Sequence, residues 1–154
     1  MGSVNPKSRG AVLIVDDDED LRAMLRDALE YRHYVVLEAE DGKGAFDVLR
    51  LPDAPPVRLI ILDLVMPGMT GWELIETLRR DPKLSQIPIL VSSGVPVHGD
   101  ASGIGATMNW LRKPFGEHEL FEAAKNAIQG ANEEGSPARP RGTRRGRVPS
   151  HPGH

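Results

Sequence analysis

The sequence predicts an α/β fold, namely a doubly wound parallel sheet of five strands with helices on both faces. Two observations support this prediction. Short runs of apolar, strand-forming residues alternate five times with segments that favour helix, which is the pattern of repeated β-α units. The central run, 59–62, is apolar throughout, as expected for a strand buried on both faces of a parallel sheet. Asp63 follows that run directly, where the strand should end.

The first β-α unit begins with the apolar run 11–15, which leads into an acidic cluster. Apolar residues then recur at helical spacing over 21–29, which predicts an amphipathic helix. Acidic residues in the first turn of a helix stabilise it through the helix dipole, and this accounts for residues 18–20. It does not account for Asp16 and Asp17 at the strand end, whose mutual repulsion needs a compensating charge such as a bound cation.

The remaining elements are predicted by the same criteria, with prolines, glycines and aspartates at their ends. The segment 95–107 contains three glycines and one proline and has little helical periodicity, so a fourth helix there is expected to be short and weakly stabilised. The other predicted strands are 34–37, 87–92 and 108–112, and the other helices are centred on 45–49, 72–78 and 120–128, the last of them ending at Gly130.

The composition predicts one soluble domain with extensions at both ends. A chain of 154 residues, 40% of them hydrophobic, is long enough to bury a core. We expect a flexible leader over 1–10, a folded domain over 11–130 and a disordered tail rich in Arg, Pro and Gly over 131–154. No apolar run approaches the roughly 18 residues that span a bilayer. The absence of cysteine excludes disulfides and thiolate metal sites, in agreement with a cytoplasmic protein.

Charge is distributed unevenly along the chain. The segment 136–154 holds five arginines and no acid, whereas the rest of the chain holds 14 basic and 22 acidic residues. An acidic body argues against nucleic-acid binding by the folded part. The arginine-rich tail is open to two interpretations, a solvated extension or an electrostatic tether to nucleic acid, to an acidic partner or to the acidic body itself.

Right-handed crossovers bring the carboxyl ends of all parallel strands to one edge of the sheet. The polar residues predicted at that edge are Asp16, Asp17, Asp63, Ser93 and Lys113. Carboxylate oxygens without nearby Cys or His suit Mg²⁺, and an ammonium and a hydroxyl beside them would bind the oxygens of a phosphoryl group. The central carboxylate could then be a nucleophile that carries the phosphoryl group as an acyl phosphate.

Four segments resemble the receiver domain of two-component response regulators, across about residues 10–130. In order they read V-L-I-V-D-D (12–17), L-I-I-L-D-L-V-M-P-G-M-T-G (59–71), P-I-L-V-S-S-G (88–94) and W-L-R-K-P-F (110–115). Four such segments in this order and spacing are highly specific for the family. The resemblance implies a flavodoxin-like receiver fold and a single-domain, chemotaxis-regulator-like response regulator.

The resemblance also assigns roles to the acidic residues. It implies that Asp63 is the phosphoacceptor, that Asp17 is a direct Mg²⁺ ligand and that Asp16 acts on the metal mainly through water. The backbone carbonyl of Val65 would be the third protein ligand of Mg²⁺.

Three further roles follow from the same resemblance. Ser93, rather than Ser92, takes the position of the switch hydroxyl. Lys113 takes the position of the phosphate-binding lysine, and the bond that joins it to Pro114 is often cis in this family. Trp110 stands where the family has its switch aromatic, although a core tryptophan that never switches is an equally open interpretation.

By this resemblance a sensor histidine kinase or a histidine phosphotransfer protein donates the phosphoryl group, and an unidentified partner protein recognises the change; no membrane partner is expected. The chain would catalyse only its own phosphotransfer and dephosphorylation. The alternatives are a phosphate-independent interaction scaffold and a Mg²⁺-dependent phosphohydrolase. Such hydrolases usually have a second acid two residues after the nucleophile, where this chain has Val65. Because neither Val65 nor Val95 can orient an attacking water, we expect a long-lived phosphoryl group.

Overall fold

The structure is a computed structural model, and it describes residues 9–66, 68, 70–94 and 109–134. Within these ranges the chain alternates strictly between strands and helices until β4, which β5 follows. The strands are β1 (Ala11–Val15), β2 (Val35–Ala39), β3 (Val57–Asp63), β4 (Ile89–Ser93) and β5 (Asn109–Arg112), and the helices are α1 (Glu19–Tyr31), α2 (Gly42–Leu49), α3 (Gly71–Arg80) and α4 (Glu117–Glu134).

The five strands form one parallel sheet in the order β2-β1-β3-β4-β5. Helices α1 and α4 pack on one face of the sheet, and α2 and α3 pack on the other. The reversal of strand order on either side of β1 makes the fold doubly wound, as the sequence predicts. Because all strands run the same way, their carboxyl ends share one edge.

β3 lies at the centre of the sheet and is covered on both sides. Ile60 and Leu62 face the core beneath α2 and α3, whereas Leu59 and Ile61 face the core beneath α1 and α4. All four side chains are at most 1% exposed. The apolar run in the sequence therefore reflects burial on both faces, which anchors the strand that ends in Asp63.

The element boundaries differ from the predictions by one or two residues at most of the strands. The larger difference is at the last helix, because α4 continues through Gly130 to Glu134. The predicted helix end at Gly130 is therefore wrong. A single glycine inside a helix costs only about 1 kcal/mol, and the alanine and glutamates that follow it favour helix, so the helix does not have to end there.

Three further predictions lie largely outside the described residues. They concern the flexible leader, the weak fourth helix over 95–107 and the disordered tail. The limits of the predicted domain stay predictions. Among the described residues, none of the helices combines the length and the apolar character needed to cross a membrane.

Candidate functional site

The acidic cluster after β1 divides into residues that build the helix start and residues that do not. Asp18 is the N-cap of α1, and its carboxylate accepts hydrogen bonds from the backbone N–H groups of Asp20 and Leu21. Asp16 is buried, and its Oδ1 accepts a hydrogen bond from the N–H of Asp18 at 2.9 Å. Asp17 lies between them and is exposed. Asp18 therefore acts as an N-cap and not, as the sequence predicts, only through the helix dipole, whereas Asp16 and Asp17 remain at the sheet edge.

Asp63 is the last residue of β3 and is only 7% exposed. Its Oδ1 accepts a hydrogen bond from the N–H of Val65 at 3.1 Å, so the loop after β3 turns back over the carboxylate. Gly71 begins α3 against this loop, and its N–H donates to the carbonyl oxygen of Leu64 at 3.1 Å. A Cβ on Gly71 would lie 2.6 Å from the carbonyl oxygen of Asp63, so only glycine fits there without displacement of the backbone.

Lys113, one residue beyond β5, connects two of the three acids. Its Nζ lies 3.0 Å from Oδ2 of Asp16 and 3.5 Å from Oδ2 of Asp63. The backbone N–H of Lys113 donates to the carbonyl oxygen of Ser93 at 2.9 Å, which fixes its strand beside the end of β4. The bond between Lys113 and Pro114 is cis.

Burial and charge act against each other at this site. Burial raises the pKa of Asp63 above its ordinary value, and the N–H of Val65 and the charge of Lys113 offset this only in part. Burial also disfavours the charge on Lys113, but the hydrogen bond to Asp16 and the charges of Asp16 and Asp63 outweigh it and raise the pKa of Lys113. The lysine therefore remains a cation between two carboxylates.

The three carboxylates are suited to hold a hard cation. Asp16, Asp17 and Asp63 each offer an oxygen, and these oxygens lie within 4.8 Å of one another. Oxygen ligands of one Mg²⁺ lie about 2.1 Å from the ion and therefore at most about 4.2 Å apart, which is close to this span. An all-oxygen donor set next to a lysine matches the chemistry of Mg²⁺, so these residues fit that metal.

The remaining predicted residues border this cluster. Ser93 ends β4 and is buried, and it pairs with Arg112 in the strand register. Ser92 pairs with Asp63 in register, and its Oγ has no hydrogen-bond partner among the described residues. Val95 lies outside the described residues. Val65, two residues after Asp63, is 63% exposed.

Trp110 lies on β5, is half-buried, and packs against the core beneath α2 and α3. Its ring meets the ring of Trp72 in the first turn of α3, with 6.0 Å between the centroids and 52° between the planes. The sequence predicts the helix that carries Trp72 but gives no sign of this contact, since it joins elements far apart in the chain.

A charged network beside Asp16 was also not predicted. Arg22 and Arg26 of α1 both contact Glu38 of β2, and Arg22 in addition donates to the carbonyl oxygen of Asp16. The available signal was the position of Arg22, one helical turn after the N-cap, where a long side chain can reach back to the strand end.

Comparison with known proteins identifies the family. The model of the response regulator receiver domain matches residues 12–125, which is most of the chain. The chain belongs to the receiver domain family. The recognised segments and the lysine-acid cluster described above fall within the matched range.

Three relatives illustrate how much of other proteins this receiver domain covers. It is 37% identical over 119 residues to the sensor histidine kinase TmoS of Ectopseudomonas mendocina, covering 76% of this chain and 12% of that protein. It is 30% identical over 131 residues to a chemotaxis protein CheY homologue of Campylobacter jejuni, covering 81% and 97%. A solved putative response regulator from Chloroflexus aurantiacus is 30% identical, with a TM-score of 0.68 and coverage of 78% and 98%.

The chain spans about half the length of several other curated relatives that it matches, or less. What these relatives share with it is the receiver domain. Receiver domains bind Mg²⁺ at an acidic pocket and interact with histidine kinases in two-component systems. The chain therefore carries the domain that receives the signal in two-component systems.

Proposed function

We propose that this receiver domain accepts a phosphoryl group on Asp63 from a sensor histidine kinase or a histidine phosphotransfer protein. One observation carries the proposal: the Nζ of Lys113 lies 3.0 Å from Oδ2 of Asp16 and 3.5 Å from Oδ2 of Asp63. A cation thus already faces the place where the oxygens of an incoming phosphoryl group would accumulate negative charge.

In the proposed transfer a carboxylate oxygen of Asp63 forms a bond to phosphorus. The bond from phosphorus to the histidine nitrogen breaks, and the electron pair of that bond stays on that nitrogen. The other ring nitrogen of the phosphohistidine carries a proton, so the leaving group is a neutral imidazole. Lys113 binds a phosphoryl oxygen, and burial of Asp63 limits access of water to the reacting carboxylate. The chain acts only on itself in this step.

Asp16, Asp17, Asp63 and the backbone carbonyl of Val65 are the proposed protein partners of Mg²⁺, with Asp17 as a direct ligand and Asp16 acting mainly through water. The bound metal supplies positive charge that neutralises the phosphoryl oxygens. The oxygen donor set and the 4.8 Å span of the acids support this assignment.

Ser93 and Trp110 are the proposed switch. Ser93 stands at the end of β4, and its backbone is bonded to that of Lys113, so its hydroxyl can close on a phosphoryl group that Lys113 already holds. Movement there would shift β5, on which Trp110 lies, and a partner protein would recognise the new arrangement. Phosphorylation would thus shift the population between two packings of the same domain.

The test is incubation with Mg²⁺ and acetyl phosphate, followed by intact-protein mass spectrometry. We expect the wild type to gain the mass of one phosphoryl group and the Asp63→Asn variant to gain none. Asp18→Asn is the matched control, because asparagine caps a helix as well as aspartate does, and it should still be phosphorylated. An equal gain of mass by Asp63→Asn would overturn the proposal, and so would turnover of small phosphate esters, which would indicate a hydrolase.

A further inference from the structure

Arg22 links the end of β1 to the neighbouring strand β2. Its Nη1 donates a hydrogen bond to the carbonyl oxygen of Asp16 at 2.6 Å, and its Nε lies 3.5 Å from Oε1 of Glu38. Only 14% of the Arg22 side chain is exposed, so these contacts are shielded from water and are stronger than equivalent contacts on an open surface. One guanidinium thus ties the strand end that bears the acids to a carboxylate on the next strand.

The carbonyl that Arg22 holds belongs to the peptide group between Asp16 and Asp17. A peptide group is planar, so the direction of this C=O also fixes the N–H of Asp17 and the line along which its Cα leaves. Asp17 is exposed, and the orientation of this peptide therefore limits the directions its side chain can take. Two of the three carboxylates that face the cation site depend on one backbone group.

Glu38 offsets the positive charge of Arg22 next to the proposed cation site. An isolated arginine here would repel a divalent metal, but Glu38 lies against its guanidinium and balances the charge. Arg26, one turn further along α1, donates to the other oxygen of Glu38 at 3.0 Å and holds that carboxylate from the opposite side. Arg26 shares Glu38 with Arg22 and also lies beside Asp27, but within the described part of the chain it makes no hydrogen bond to the backbone of Asp16.

We infer that Arg22, braced by Glu38, is a positioning residue for the cation site formed by Asp16, Asp17 and Asp63. Arg22 acts through the Asp16–Asp17 peptide and does not touch the metal. This inference rests on the proposed Mg²⁺-dependent function. It extends that function to a network on the far side of β1 and explains why a largely buried arginine is directed at a backbone carbonyl.

The test measures metal binding directly, with Mn²⁺ as the probe. Electron paramagnetic resonance measures the concentration of unbound Mn²⁺ and so gives the dissociation constant of Mn²⁺. Competition with Mg²⁺ gives the dissociation constant of Mg²⁺. We expect Arg22→Gln to raise the dissociation constants of Mn²⁺ and Mg²⁺ about tenfold, as is common when a residue that orients metal ligands is removed. Arg26→Gln is the matched control, since it loses an ion pair with the same Glu38 but no contact with the backbone of Asp16, and it should weaken binding of both metals far less than Arg22→Gln does.

Two further variants separate position from charge and from folding. Arg22→Lys keeps the charge but offers a single ammonium, which cannot hold the carbonyl of Asp16 and Glu38 in one planar fork, so we expect it to bind metal as weakly as Arg22→Gln. Glu38→Gln leaves Arg22 in place without its brace and should weaken binding less, roughly threefold. It keeps the inference testable if Arg22→Gln does not fold.

The outcomes distinguish this inference from the proposed function. If the wild type binds neither Mn²⁺ nor Mg²⁺, the proposed metal site is wrong and the inference falls with it. If the wild type binds both and Arg22→Gln binds equally well while its thermal midpoint falls, Arg22 is merely structural and only the inference is overturned. Equal loss of affinity in Arg22→Gln and Arg26→Gln would also overturn it, because it would indicate a general effect of charge.

Discussion

The ionised form of the Asp63 side chain is disfavoured in the folded protein. The side chain is buried at the end of a central strand, and burial raises its pKa even though Lys113 and the N–H of Val65 support the charge. An acid with a raised pKa in the folded state is destabilising when ionised. The folded state therefore loses stability as pH rises through that pKa and regains it as pH falls below it.

The Asp63→Asn variant in metal-free buffer tests how much the buried charge destabilises the fold. Asparagine fills the same space without a buried charge, so we expect the free energy of unfolding at neutral pH to exceed that of the wild type. The difference should shrink at acid pH, where the wild-type carboxyl is protonated. Urea denaturation with a chelator at both pH values is the measurement, and a less stable variant at neutral pH would contradict the argument.

Val65 is expected to slow the loss of phosphate from the phosphorylated protein. Its side chain is 63% exposed two residues beyond Asp63, the proposed acceptor, and cannot orient a water molecule that attacks an acyl phosphate. Val65→Asn introduces a hydrogen-bonding group there, and one such bond is worth about 1 kcal/mol, or roughly a fivefold faster loss of phosphate. The lifetime of the phosphorylated form, followed by mass spectrometry after removal of acetyl phosphate, measures this effect. Val65→Ile is the control and should leave the lifetime unchanged.

At the scale of elements, the start of α3 determines how the loop after β3 is placed. Gly71 lies against the backbone of Asp63 and Leu64, and Thr70 caps the helix by accepting from the N–H of Glu73 at 3.2 Å. The helix thus begins in direct contact with the strand end, with no room for a side chain between them. This close approach couples the position of Asp63, the proposed phosphoacceptor, to the position of an entire helix.

Replacement of Gly71 tests this coupling. A methyl group would lie 2.6 Å from the carbonyl oxygen of Asp63, so Gly71→Ala should lower the free energy of unfolding by about 1–3 kcal/mol. Gly130→Ala is the control, because a Cβ there meets nothing within 4 Å and alanine favours helix, so it should stabilise by roughly 0.5–1 kcal/mol. Urea denaturation compares the two, and equal stability of Gly71→Ala and the wild type would show that the loop can move away.

The sequence was sufficient for features that depend on periodicity and strand ends. The apolar runs located the five described strands, and parallel topology then placed Asp16, Asp63 and Lys113 at one edge of the sheet. In the structure the carboxylates of Asp16 and Asp63 lie within 3.5 Å of the Nζ of Lys113. The contact of Arg22 with the Asp16 carbonyl could not be predicted, because it depends on the rotamer of a long side chain. The end of α4 was missed because a single glycine only weakly opposes a helix.

At the scale of the whole molecule, charge separates the chain into two parts. The five arginines of 136–154 have no acid among them, whereas the remainder carries 22 acidic and 14 basic residues. An acidic excess favours the approach of cations and disfavours that of polyanions, whereas an arginine-rich segment has the opposite preference. The two interpretations of that segment, as a solvated extension or as an electrostatic tether, make different predictions for binding.

Truncation after Glu134 tests the tether. We expect the full chain to be retained on heparin at low salt and released as salt increases, since polyanion binding by arginines depends steeply on ionic strength. The truncated chain should pass through, whereas Arg80→Gln combined with Lys83→Gln, on the folded body, should leave retention unchanged. Equal retention of the full and truncated chains would assign the binding to the body and favour the solvated extension.

Trp72 and Trp110 are the two tryptophans of this chain, and their rings touch. All indole fluorescence therefore originates from one pair that joins α3 to β5. If phosphorylation moves β5 against α3, the intensity and wavelength of that emission will change without any attached dye. The protein thus contains its own optical reporter, and stopped-flow recording of this signal would time the conformational response on the same molecule whose mass records the chemistry.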